Sequence, residues 1–68
     1  MKHEREAISS LTTLTGRVVR LLRLVRDFSQ EELARRSGLS VPTLSRIEAG
    51  KHPLRADREL ALLRVLFP

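Results

Sequence analysis

Between residues 29 and 50 the chain is punctuated twice in the same way: a serine, a short run with helical apolar spacing, then a glycine. Ser29 precedes the run from Gln30 to Ser37, which Gly38 follows; Ser40 precedes the run from Val41 to Ala49, which Gly50 follows. A serine hydroxyl accepts a backbone N–H left over in the first turn of a helix, and a glycine reaches the left-handed conformation that ends one. The pattern predicts helices over 30–37 and 41–49, with only Gly38, Leu39 and Ser40 between their bodies. Ser29 and Glu32 also have the form of a capping box, in which the carboxylate reaches back to the N–H of the cap. Pro42 is tolerated because the first helical turn has no internal use for its N–H.

Periodicity is helical wherever it is legible, and no segment alternates as a strand does. Thr15 is a cap for a helix over 16–27, whose apolar residues are Val18, Val19, Leu21, Leu22, Leu24 and Val25, with Phe28 just beyond. That set spans an arc of roughly 220°, about twice the usual stripe that faces one core. The surplus, centred on Val18, Leu21 and Leu24, needs another cover. After a basic loop broken by Pro53, a last helix is expected over 56–67, with Leu60, Leu63 and Leu66 inward and Leu62, Val65 and Phe67 as a second surplus. The organisation expected is an arm or short helix over 1–14 and one all-α domain over 15–68, its core including Leu33, Ala34, Leu44 and Ile47.

The 68 residues include 13 Lys and Arg against 8 Asp and Glu, a net charge of +5. Four arginines fall between Arg17 and Phe28. A small domain so basic suits a polyanion, above all nucleic acid. The aromatic residues are Phe28 and Phe67 alone, both in apolar surroundings, which argues against a base-stacking platform for single strands or RNA. Without Cys there is no disulfide framework or thiolate metal site, and His3 and His52 stand alone, so neither metal nor cofactor is expected. No apolar run is long enough to span a bilayer, and Met1 to Glu6 lacks the apolar centre of a signal peptide; the expectation is a cytoplasmic protein with no membrane partner. No Ser/His/Asp set, carboxylate pair or phosphate-cradling loop can be assembled, so the chain is not expected to be an enzyme.

Two short helices joined by a glycine-containing turn form a helix-turn-helix pattern. The whole run from Phe28 to Gly50, with SQEELA, SGLS and TLSRIEAGK in that order and spacing, closely resembles the lambda repressor/Cro-like (XRE-type) helix-turn-helix family. The likeness extends from Thr15 to about Leu66. It implies a compact all-α domain of four to five helices with the helix-turn-helix at its centre. The second helix of the motif would lie in the major groove of double-stranded DNA, its N-terminal end nearest the base edges.

The resemblance also implies roles residue by residue. Ser29 and Thr43 face the DNA backbone, Gln30 meets the backbone or an outer base, and Ser40 caps the reading helix at the interface. Val41 and Pro42 hold the base-proximal positions, where many relatives are polar or basic; here they would read thymine methyls or shape. Arg46 is the candidate for a bidentate contact to guanine, with Ser45 as a second polar reader. Lys51 and His52 approach phosphate, and Arg17 and Arg20 are further candidates for that contact, their direction depending on the roll of the first helix. Arg23 and Glu48 match positions that in relatives form an ion pair between the first helix and the end of the reading helix. Apart from the resemblance, helical spacing predicts that Arg35 and Arg36 form a solvated face pairing with Glu31 and Glu32.

Many members of the family continue into a fifth helix that makes a dimer contact. Here Ile8, Leu11 and Leu14 are expected to cover the first surplus, and Leu62, Val65 and Phe67 to join two copies. The function implied is that of a bacterial or phage-encoded (auto)repressor, a homodimer on a palindromic operator. The alternatives are an antitoxin with a toxin partner, the controller protein of a restriction–modification system, and a protein-interaction module that has lost DNA binding. Val41 and Pro42 keep the last one open.

Overall fold

The computed structural model describes residues 14–68, which form four helices and no strand: α1 Gly16–Val25, α2 Gln30–Ser37, α3 Val41–Glu48 and α4 Ala56–Leu66. Residues 1–13, and with them the roles expected of Ile8 and Leu11, lie outside the described part.

The first three helices start and stop by the same local chemistry. Thr15, Ser29 and Ser40 each accept a backbone N–H from three residues on, at 3.2, 3.0 and 3.2 Å. Each of these helices also ends on a left-handed residue: Asp27 (φ 57°), Gly38 (φ 78°) and Gly50 (φ 76°). Beyond it, the N–H of Phe28, Leu39 or Lys51 turns back to the carbonyl of Arg23, Ala34 or Arg46, at 2.9–3.0 Å. That six-to-one bond is the Schellman closure, which satisfies a carbonyl the helix leaves open. Aspartate is among the few side chains that tolerate this conformation, because its short polar group bonds locally. The first helix therefore stops at Val25, short of the expected Asp27.

The capping box at α2 is half formed. Ser29 Oγ accepts the Glu32 N–H, but the Glu32 carboxylate accepts from Arg35 and Arg36 instead of reaching back. Two guanidiniums one turn on are a better match for a carboxylate than a single amide N–H. Arg36 also lies over the Phe28 ring, 4.9 Å from its centroid.

Val19, Leu33, Ala34, Leu44, Leu62 and Leu66 make the core, and Leu14, Leu22, Phe28, Leu39, Leu54 and Val65 pack against it. Ile47 is fully buried as well. The roll of α4 differs from the expectation. Leu62 and Leu66 are sealed inside, while Leu60 and Phe67 are 50% and 59% exposed. Leu62 thus belongs to the monomer core and not to an outward surplus, and Leu60 is not an inward residue. Val65 also packs on the core. Six large apolar residues fall within the eight positions from Leu60 to Phe67, so most orientations of α4 bury a plausible set. Contacts with α2 and α1 make the choice.

On α1 only Val19 is sealed among the apolar residues; Leu21, Leu24 and Val25 stand exposed, and Val18 is 39% exposed. Gly16 explains how α1 sits. A Cβ at this position would collide with the carbonyl oxygen of Ile47 and come within 2.8 Å of its carbonyl carbon. The first turn of α1 therefore rests directly on the backbone of α3.

Two alanine substitutions separate these effects. Gly38→Ala meets no atom within 4 Å, so it is charged only for a left-handed backbone, about 1–2 kcal/mol. Gly16→Ala forces rigid backbone apart and is expected to cost about 1–3 kcal/mol. Urea midpoints give both losses, and amide shifts of Ile47 and Glu48 in NMR spectra should move only in the second.

Candidate nucleic-acid interface

The face that α3 turns away from the core begins at its cap. Ser40 Oγ accepts the Thr43 N–H and donates its own proton to Thr43 Oγ1 at 2.8 Å. The Thr43 hydroxyl proton is thereby left to donate outward. Leu44 and Ile47 point inward, and Ser40, Val41, Pro42, Ser45 and Arg46 are exposed. Thr43 and His52 are half-buried, and Lys51 is exposed just beyond the helix. No ion pair among the described residues involves Arg46 or Lys51. The face is apolar at its leading edge, hydroxyl-lined in the middle and cationic at its end.

This face is held by a buried polar network. Arg23 and Glu48 are only 8% and 7% exposed. Arg23 Nε donates to Glu48 Oε2 at 2.8 Å, and the same guanidinium donates to Oε1 at 3.0 Å. A third Arg23 nitrogen donates to the Phe28 carbonyl at 2.9 Å, in the turn between α1 and α2. Gln30, half-buried at the start of α2, donates through Nε2 to Glu48 Oε1 at 3.1 Å. An ionised carboxylate only accepts, so the amide must turn its nitrogen toward Glu48. One carboxylate on α3 is thus bound from α1 and α2 together. No buried side-chain polar atom among the described residues lacks a partner.

The network opens onto a groove lined by Arg20, Arg23, Gln30, Ser45, Glu48 and Ala49. A second groove, with Arg17, Leu21 and Leu24 along its wall, shares Arg20, Glu48 and Ala49. Arg20 therefore lines the same groove as Gln30 and Ser45. Ser29 is exposed at the cap of α2, with its hydroxyl proton free while the oxygen accepts from Glu32.

A helix-turn-helix domain model matches residues 15–66, more than three quarters of the chain. The chain belongs to the helix-turn-helix domain family. The match spans all four helices, and the lambda repressor/Cro-like resemblance agrees with it. None of the curated proteins or solved structures compared is a significant match. A domain of this family points to a DNA-binding regulator, and such domains are typically not enzymes. No helix among the described residues is long and apolar enough to cross a membrane.

Arg23 and Glu48, expected as a pair, meet. Nothing in the sequence indicates directly that Gln30 joins them, that Arg20 shares their groove, or that Gly16 seats α1 on α3. Gly16 alone leaves a signal: glycine in the first turn of a helix is costly by propensity and calls for a contact to explain it. The partner carbonyl lies far along the chain, at Ile47, and has no local signature.

On the far side of α2, hydrogen bonds from Arg35 and then Arg36 hold the Glu32 carboxyl below the ordinary carboxylate value. Its ionised form is favoured in the folded state, so the pair stabilises above the ordinary carboxylate range. That contribution is lost as pH falls through the lower folded value. Glu32→Gln should therefore lower the melting temperature near neutral pH, and the gap from the parent should close in acid.

The buried network has a larger effect. Glu48→Ala strands a buried guanidinium and is expected to cost about 3–5 kcal/mol in urea unfolding. The double variant Arg23→Met/Glu48→Leu should lose less than Glu48→Ala alone, because it leaves no unpaired charge.

Proposed function

We propose that the chain is a sequence-specific regulator that binds double-stranded DNA with α3 in the major groove. It acts as a homodimer on a palindromic operator and represses by occupying it. The observation that carries this reading is the outer side of α3. It packs against nothing in the described domain, yet its pose is over-determined by bonds to Glu48 from two other helices. A solvated helix with no task needs no such clamp. A helix that must match base edges to within a hydrogen bond does.

In this reading Arg46 donates to a guanine, and Val41 and Pro42 meet thymine methyls or follow groove shape. Ser29, Gln30, Ser40, Thr43, Lys51 and His52 anchor the backbone. One such domain has a small footprint, and two-fold pairing on half-sites about one helical turn apart supplies the remaining specificity. Leu60, Leu63 and Phe67 follow one another at helical three- and four-residue spacing, and two of them are at least half exposed. That stripe is the contact proposed between copies, in place of one centred on Leu62. A cytoplasmic location in a bacterial or phage-infected cell goes with the same reading.

Selection of bound duplexes from a random pool should return an inverted repeat. On it, Arg46→Ala should lose about 1–3 kcal/mol of discrimination at one base pair of each half-site, and Lys51→Ala should weaken every sequence alike. A pool that returns no common sequence removes the regulator reading, and a single unrepeated half-site removes the dimer.

A further inference from the structure

We infer that the groove between α1 and α3 is a seat for one DNA backbone phosphate, closed on its outer side by Arg20. The inference rests on the DNA-binding reading above and adds to it a contact from α1, an element outside the helix-turn-helix itself.

The walls of the groove are Arg20 and Arg23 from α1, Gln30 from α2, Ser45 and Glu48 from α3, and Ala49 just beyond it. Their charges resolve simply. Both Glu48 oxygens already accept from Arg23, so that acid is answered inside the protein. Arg20 is exposed, and no ion pair among the described residues involves it. The groove therefore presents one uncompensated positive charge, the complement of one phosphodiester.

Hydrogen-bond capacity points the same way. Gln30 spends one Nε2 proton on Glu48 and keeps the other. Ser45 is exposed, and its hydroxyl makes no hydrogen bond among the described residues. An amide proton, a hydroxyl and a guanidinium thus border one open space, and all three donate to an anion. Ala49, just past the end of α3, completes the lining. One turn before Arg20, Gly16 lets α1 rest directly on the α3 backbone. The seat reassigns Ser45 from base edges to the DNA backbone, beside Gln30.

The test measures the full chain on the duplex selected from the random pool and on a scrambled duplex of equal length, over a range of salt. Each phosphate contact adds about 0.9 to the slope of log affinity against log salt on B-form DNA. Arg20→Gln is expected to weaken both duplexes by a similar factor and to reduce that slope by about one. Arg20→Lys should retain the slope, and Ser45→Ala should weaken both duplexes alike. Arg64→Gln, on α4 and outside the groove, carries the same loss of net charge and should leave the slope nearly unchanged. Circular dichroism melts of each variant establish that the fold is kept.

An unchanged slope in Arg20→Gln overturns the seat, and so does an equal fall in Arg64→Gln, which would make the effect one of net charge. A loss confined to the selected duplex overturns it as well, since that is the mark of a base contact. If the parent protein binds neither duplex, the regulator reading itself fails, and the parent lane alone distinguishes that failure from the others.

Discussion

The bond between Arg23 and Glu48 is the interaction on which the rest of the domain depends. Helices of eight to eleven residues have little stability by themselves, and they hold their places through packing. Apolar packing does not specify angle well, because many rolls bury similar area. A bidentate guanidinium–carboxylate pair has one good geometry. Placed inside the domain, it must be made correctly or it leaves two charges stranded without water. The pair converts a loose apolar contact between α1 and α3 into a defined pose. The extra bonds to the Phe28 carbonyl and from Gln30 extend that definition to α2 and the turn before it.

This division of labour suits the DNA-reading role proposed for α3. The core under α3 is ordinary: Leu33, Leu44 and Ile47 exclude water and supply the driving force. The polar network sets direction. The outward face is then free to be chosen for its partner, and it combines apolar Val41 and Pro42, hydroxyls at Ser40, Thr43 and Ser45, and the cations Arg46 and Lys51. Gly16 completes the arrangement from the other side, by letting one backbone rest on another without side chains between them.

Much of this was legible in order along the chain. The caps at Thr15, Ser29 and Ser40 and the left-handed ends at Gly38 and Gly50 are local events, each settled within one helical turn, and the helices begin where those residues stand. The ending at Asp27 was not legible, since an aspartate there reads equally well as the last residue of a helix. The rolls of α1 and α4 were not legible either. Both carry apolar residues around much of their circumference, so periodicity cannot choose a face. Leu62 went to the core and Leu60 to the surface because of what α4 meets, and nothing within 56–67 records that. In the site, Arg23 with Glu48 could be expected from the resemblance. The attachment of Gln30 and the nearness of Arg20 depend on two crossings, α1 over α3 and α2 against α3.

By itself, then, the order of residues determined where the first three helices start and where α2 and α3 stop, which of them form the helix-turn-helix, and which side chains on α3 have no inward role. Those outcomes rest on interactions spanning three or four residues. Tertiary structure alone decided which surfaces of α1 and α4 are left to solvent, and that Gln30 and Arg20 stand with the Arg23–Glu48 pair at one groove. Those depend on the angle at which helices cross, which core packing sets together with the buried Arg23–Glu48 pair.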